Sequence, residues 1–432
     1  MIRKTLLQIL PVLILVIVKL VQYKLRSLGL APIAFDLPEL PTFTPDNRLA
    51  NVSIEKLGEN DLVYPESFVL SPDEKFAFIS LGDGRIVRIN DPIDADITWD
   101  TIVRTGIDDD QCGKGGPADD NDMEQKCGRP LGLWLASRSS VDKNFKSDDD
   151  DAQDEDVLLV ADAYRGFLMV TGITDQPVIH ALASRAESDH PEYTFKLLNA
   201  AVQVPSTGDI YITETSQHFE RRRIFHAVMD GRATGRLLRY RRSSGVIEVV
   251  AENIYMPNGI TVSHDQQSLL IVCGVKILRF DLRSGRIDPK PFIEVMPGTG
   301  DNIKTIDSHE LPNGDKVKCY YVALGGIYKK PFSLLKFVSD KVWLSSFILA
   351  VVPYRKIIDL IPKWTALTVF DVQGNMIENF TDDGTSKLGE NGKKISVEAP
   401  WISEFEPVGE YLYLASWYNP FLARIKRIEL EG

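Results

Sequence analysis

The chain lacks most of the short motifs that announce a chemistry. It has no glycine-rich dinucleotide loop after a strand, no Gly-Lys-Ser or Gly-Lys-Thr triplet, no His-Glu-x-x-His and no Gly-x-Ser-x-Gly. Nothing in it resembles a phosphate cradle. It is short of positive charge, with 49 Lys and Arg against 61 Asp and Glu, a formal net charge of −12. That excludes a nucleic-acid partner, which asks for a basic face. There are four cysteines in 432 residues. Cys112 and Cys127 flank a Gly/Asp-rich loop that a disulfide would staple. Cys273 and Cys319 sit in apolar strand-like runs and read as buried thiols. What remains, 44% hydrophobic and 25% charged residues, is ordinary globular composition.

One long apolar run is present, from Leu6 to Val21. A bilayer crossing needs about 20 such residues, about 17 at the short end. The run therefore reads as a short span or a signal-peptide core, with Lys19 able to snorkel. No Ala-x-Ala site follows, which favours an uncleaved anchor over residues 1–24. Arg3 and Lys4 before it are balanced by Lys19, Lys24 and Arg26, so charge alone leaves its orientation open. The sequons Asn51-Val-Ser53 and Asn379-Phe-Thr381 carry glycan only in the secretory lumen. With the cysteine loop, they predict a single-pass membrane protein of the endoplasmic reticulum or cell surface, its C-terminal body luminal or extracellular.

From Phe68 onward one pattern recurs six times: a turn with Asp or Gly, an alternating apolar strand, a short break and a second strand. SPDEKFAFISLGDGRIVRI (71–89), EDVLLVADAYRGFLMVTG (155–172) and GEYLYLASWYNPFLARIKRI (409–428) are examples. The alternation marks half-buried strands joined by hairpin turns. Radial repetition of such units closes a ring and removes exposed sheet edges. The expected fold is all-β: a six-bladed β-propeller over 61–432, an N-terminal transmembrane helix, and a linker and lead-in segment over 25–60. The length alone would suggest two or three domains, but the repeats point to one.

Two segments interrupt the pattern. The acidic run 148–156 lacks the spacing of an EF-hand calcium loop and reads as a solvated turn. In 331–364, apolar residues at Leu334, Phe337, Val338, Leu344, Phe347, Ile348, Val351 and Val352 fall at helical spacing, punctuated by Lys and Arg. This predicts a helical insertion that lids the propeller, leans on the membrane, or does both.

Propellers place function at one end of the central channel. Just ahead of the expected first strands stand Glu66 in YPESFVLSP, Asn199 in LLNAAVQVP, Asn258 in MPNGITVSHD, and Asp301 and Asn302 in GDNIKTID. Singly, each is most simply a turn or cap residue. Together, two acids and three amides at equivalent places in four blades form a hard-oxygen set, suited to calcium rather than zinc.

The blocks PESF (65–68), CGRPLGLW (127–134), ADAYRGFLMV (161–170), YITETS (211–216), PNGI (257–260), MPGTGDNI (296–303) and YNPFLARI (418–425) resemble the strictosidine synthase-like branch of calcium-dependent phosphotriesterase and paraoxonase-type propellers. The resemblance spans nearly the whole chain. It implies a single calcium on the axis, with ligands at Glu66, Asn199, Asn258, Asp301 and Asn302. The histidine pair that paraoxonases use falls at Leu131 and near Ala163, so that machinery is missing. The glutamate of strictosidine synthase falls near Ser403 or Pro400. Glu404, one residue off, is expected on the opposite strand face, which makes strictosidine synthesis unlikely.

The functional expectation is a membrane-anchored, calcium-dependent hydrolase of small apolar arylesters or lactones. Asp301 would serve as proton acceptor, and Trp134 and Tyr164 as pocket walls. The alternative is a non-enzymatic propeller in which calcium is structural and the face binds a partner.

Overall fold

The computed structural model describes residues 2–35, 37–39, 44–114, 116, 123–142, 154–187, 194–327, 334–384 and 397–430. The chain opens with helix α1 (Ile2–Ser27), which contains Pro11. Val12 through Val18 and Leu20 stand exposed on it. Among the described residues, no helix is long and apolar enough to cross a membrane.

Among the described residues, the body consists of six four-stranded antiparallel sheets. After a lone strand β1 (Glu55–Leu57), the first blade runs β2 (Phe68–Leu70), β3 (Phe76–Ser80), β4 (Arg85–Asn90) and β5 (Thr98–Arg104). Helix α2 (Met123–Cys127) leads to the second: β6 (Pro130–Ser137), a turn of helix α3 (Arg138–Val141), β7 (Asp156–Asp162), β8 (Gly166–Thr171) and β9 (Val178–Ala183). The third is β10 (Leu198–Gln203), β11 (Ile210–Glu214), helix α4 (Ile224–Asp230), β12 (Gly235–Arg241) and β13 (Val246–Ile254). The fourth is β14 (Pro257–Val262), β15 (Ser268–Cys273), β16 (Lys276–Asp281) and β17 (Arg286–Ile287). The fifth begins with β18 (Gly298–Glu310) and β19 (Lys316–Ile327). It continues through α5 (Leu334–Ser339), α6 (Val342–Val351) and α7 (Tyr354–Ile357) to β20 (Thr365–Asp371) and β21 (Met376–Asp382). The sixth is β22 (Ile402–Val408), β23 (Tyr411–Ser416) and β24 (Leu422–Lys426).

The sixth sheet takes its outer strand from the other end of the chain: β1 pairs with β24, Glu55 opposite Arg424 and Leu57 opposite Leu422. The ring therefore begins within the segment read above as lead-in. Three residues are too few for an alternation signal to reveal such a strand.

Apolar side chains of adjacent blades interdigitate all round the ring. One cluster joins the first and second blades through Phe78, Ile86, Leu133 and Leu158. Another joins the sixth to the first through Tyr413, Leu422, Phe68 and Ile79. Burial of this kind is the main term holding the ring closed.

The strand order fixes which loops share an end. Each innermost strand starts at one mouth and runs away from it; the second strand returns, and the connection to the third lies at that same mouth. The two large second-to-third connections, holding α4 and α5–α7, therefore cap one end of the channel. The insertion is helical as expected, although 331–333 lie outside the described residues. Leu349, Tyr354 and Ile357 pack with Phe219, Ala227 and Met229 around α4, and with Leu25 and Leu30 at the end of α1. Of the acidic run, 148–153 lie outside the described residues; Asp154 and Glu155 accept hydrogen bonds from Ser139 and Arg138.

Candidate active site at the channel mouth

The inner strands are bulged where they begin. Pairing shifts register between Pro130 and Gly132 in β6, Leu198 and Ala201 in β10, and Pro257 and Ile260 in β14. It shifts again between Gly300 and Ile303 in β18 and between Ile402 and Glu404 in β22. The residues passed over are Leu131, Asn199 and Ala200, Asn258 and Gly259, Asp301 and Asn302, and Ser403. A bulge re-aims its side chains and breaks the two-residue alternation. The expected donors Asn199, Asn258, Asp301 and Asn302 thus lie inside bulged strands rather than ahead of them; Glu66 alone precedes its strand, β2.

Two features allow the bulges to nest. A Cβ on Gly132 would stand 2.5 Å from the Asn199 carbonyl, and one on Gly259 would stand 2.6 Å from Asn302 Cα. Only glycine permits that approach. Tyr64, Met256 and Trp401 have positive φ, 52°, 48° and 56°. Each lies two residues ahead of Glu66, Asn258 and Ser403 respectively. A bulky residue held there costs about 1–3 kcal/mol, and such strain gathers at functional sites.

The carboxylates are buried and crowded. Arg129, itself fully buried, donates to Glu66 Oε2 at 2.5 Å and to the Tyr64 carbonyl at 3.1 Å. Asp301 accepts from the Asn258 amide. Burial first, then the charge of Glu66, push the Asp301 carboxyl well above the ordinary carboxylate range, against the pull of Asn258 and Arg221. Asn258 Oδ1 is buried with no hydrogen-bond partner. Asn302 donates to Glu404 Oε2 at 3.3 Å. Lys304 Nζ lies 2.6 Å from Glu404 Oε1, 2.5 Å from the Phe68 carbonyl, and against Glu406. Burial opposes that ammonium, yet the two glutamates hold its pKa above the ordinary lysine value.

The rim is tied to the disulfide loop. Cys112 and Cys127 are bonded, and Cys273 and Cys319 are buried thiols. Glu124 of α2 accepts from the Tyr164 hydroxyl at 2.6 Å and from Arg221 at 3.5 Å. The Arg221 guanidinium lies 5.9 Å from the Trp417 ring centroid. Trp417 stacks on Trp401 at 5.3 Å and meets Phe225 edge-on at 6.1 Å; Phe225 in turn meets Tyr354 at 5.8 Å. A Cβ on Gly325 would be 3.7 Å from Asp301 Oδ2 and 4.0 Å from Trp417 Nε1, so the acid and the indole both face that glycine.

The structure thus brings Glu66, Asn258 and Asp301 together. Asn302 is drawn toward Glu404, and Asn199 stands on the neighbouring bulge. Tyr164 lies at the rim. Trp134 does not: it sits partway along β6, packed between the second and third blades. Glu404 also departs from expectation. The bulge ahead of it reverses the alternation, so its carboxylate reaches Asn302 and Lys304 beside the site, while Ser403 donates to the Glu66 carbonyl at 2.8 Å. Leu131, Ala163 and Leu197 form an apolar cluster where the resemblance would place histidines. Among the described residues, no group of three or more His, Cys, Asp or Glu is arranged to hold a metal; a site built partly of amides falls outside that pattern. Sequence reasoning missed Trp417. Its only signal was an aromatic pair, Trp417-Tyr418, in a turn where other blades carry Gly and Asp. Of the sequons, Asn51 is exposed, whereas Asn379 is half-buried with Oδ1 enclosed and Thr381 bonded to Asp46.

A closed ring of six blades, with buried carboxylates gathered at one mouth, defines a channel-site β-propeller. Comparison with known proteins narrows this. A model of the strictosidine synthase family matches residues 200–281. Over 402 residues the chain is 28% identical to adipocyte plasma membrane-associated protein of Gallus gallus, covering 91% of this chain and 83% of that one. The Homo sapiens protein of the same name is 27% identical over 403 residues, covering 91% and 82%. Strictosidine synthase-like 2 of Arabidopsis thaliana is 28% identical over 376 residues, covering 84% and 86%. The chain is thus a six-bladed β-propeller similar to strictosidine synthase-like proteins.

Proposed function

We propose that this propeller is a membrane-anchored hydrolase of apolar esters or lactones, with a calcium ion held at the channel mouth. The observation that carries the reading is the unpartnered, buried Asn258 Oδ1 beside two buried acids, Glu66 and Asp301. A buried oxygen without a donor, next to carboxylates that repel one another, is a donor set that a hard cation would complete. Arg129 occupies one oxygen of Glu66 and leaves the other. Glu66, Asn258 and Asp301 would be the principal ligands, with Asn199 and the carbonyl oxygen of Asn302 on adjoining bulges. Held by these residues, calcium would supply Lewis-acid polarisation of an ester carbonyl and a positive charge facing its oxygen.

The chain's own groups supply the rest. Asp301, set beside Glu66 and Asn258 at the mouth, would be the acceptor for the proton of an attacking water. Trp417, Phe225 and Tyr354 give the apolar wall that holds an aryl or alkyl group and keeps bulk water away. The exposed apolar side chains of α1 continue the run from Leu6 and support an anchor there. The relatives named as plasma membrane-associated support it too.

The test is calorimetric titration of the purified chain with calcium, paired with phenyl acetate turnover before and after chelation. Stoichiometric binding and chelator-sensitive turnover, both lost in Asp301→Asn, are expected. Absence of calcium binding, or turnover indifferent to both chelator and substitution, overturns the reading.

A further inference from the structure

We propose that the channel mouth lies against a lipid bilayer, so that the site receives its substrate from the membrane, as an ester or lactone bearing a long apolar tail. The substrate half of this rests on the hydrolase reading; the placement does not.

The strand order puts α4 and the α5–α7 insertion over the mouth. One apolar cluster fuses them to the end of α1: Leu25 and Leu30 meet Leu349 of α6, Tyr354 and Ile357 of α7, and Ala227 and Met229 of α4. The helix read as an anchor is thus packed into the cap rather than joined to it by a free linker. The outward face of α6 is apolar. Trp343, Phe347 and Val351 are 71%, 45% and 56% exposed and fall four residues apart, on one stripe, while Ser345 and Leu349 face inward. Phe337 of α5 and Tyr23 of α1 are exposed as well.

The occupant that fits this stripe is a bilayer, for two reasons. The stripe belongs to the same packed unit as the exposed apolar turns of α1. Around it, Lys336, Lys341, Arg355, Lys356 and Lys363 outnumber Asp340 and Asp359, in a chain whose net charge is −12. An apolar stripe interleaved with cations on an otherwise acidic protein matches an anionic lipid surface. From this cap an aromatic path leads inward: Tyr354 to Phe225 at 5.8 Å, Phe225 to Trp417 at 6.1 Å, and Trp417 to Gly325, which Asp301 also faces. A tail could remain in the acyl layer while the carbonyl reaches the carboxylates.

The test uses the full chain in phosphatidylcholine–phosphatidylserine vesicles carrying a nitroxide-labelled lipid. A fluorophore is placed at Trp343→Cys or, at the opposite end of the ring, at Asn313→Cys. Quenching at position 343 and little at 313 is expected. No quenching at 343, or equal quenching at both, overturns the placement, including the case in which a protein partner covers the stripe. The second arm compares a long-chain naphthyl ester dissolved in the vesicles with phenyl acetate in water. Trp343→Asp combined with Phe347→Asp should lower turnover of the dissolved ester about tenfold and leave the soluble one unchanged; equal effects on both overturn the membrane route. Position-selective quenching from a chain that cleaves neither ester would support the placement and remove only the hydrolase reading.

Discussion

The two ends of one strand, β18, carry buried ionisable clusters of opposite character. At the mouth, Asp301 is buried with Glu66 and sits beside an amide oxygen that has no donor, and its pKa is driven up. At the far end, His309 bonds Tyr321 at 2.8 Å and Glu378 at 2.6 Å, and Glu378 also receives Arg48 at 3.1 Å. There burial works against the carboxylate, yet hydrogen bonds from His309 and Arg48 hold its pKa below the ordinary value. The far cluster is satisfied within the protein and ties the lead-in turn to the fifth blade. The near one holds an amide oxygen, Asn258 Oδ1, to which the protein supplies no donor. Groups held against their own stability are the ones to suspect of function.

Asp301→Asn should break the contrast most sharply. Ester turnover and calcium binding should fall about a hundredfold or more, whereas Glu378→Gln should leave turnover within about twofold. Matched losses in the two variants would show that the ends do not differ in kind. Midway along the strand, Lys304 holds Glu404 and Glu406 together. Lys304→Met leaves two buried carboxylates uncompensated, and urea unfolding should register a loss of about 3–5 kcal/mol. A loss below about 1 kcal/mol would mean that water reaches that level of the channel.

The sequence disclosed the blades because period-two alternation is imposed on every strand by its two faces. The insertion was legible for the same kind of reason, at helical period. The donor positions Glu66, Asn258 and Asp301 were legible as residue types, but not their setting, since a bulge leaves no mark in a period-two pattern beyond a glycine such as Gly259. That is why strict alternation places Glu404 on the wrong face. Trp134 and Trp417 show the limit from another side. Trp134 lies midway along β6 and Trp417 just past β23, and only the ring decides that one packs between blades while the other stands at the mouth.

The smallest effect, and the most discriminating, concerns pH at the far end. A carboxylate accepts and cannot donate, so His309 presents a proton on Nε2 toward Glu378. The folded chain thus binds the Glu378 proton less readily than the unfolded chain does, whose glutamates titrate near about 4.3. The unfolded state therefore takes up more protons as the solution is acidified, and the contribution of Glu378 is present above about 4.3 and lost as pH falls through the lower folded value. Glu378→Gln should cost about 1–3 kcal/mol at pH 7, and the gap between the two unfolding midpoints should close toward pH 3. Asp301→Asn, examined without calcium, should show the reverse sign: it removes a carboxylate whose ionisation the fold resists, so the variant should gain on the parent as pH rises. Parallel pH profiles for the two substitutions would erase the distinction between an acid that the fold satisfies and one whose ionisation it resists.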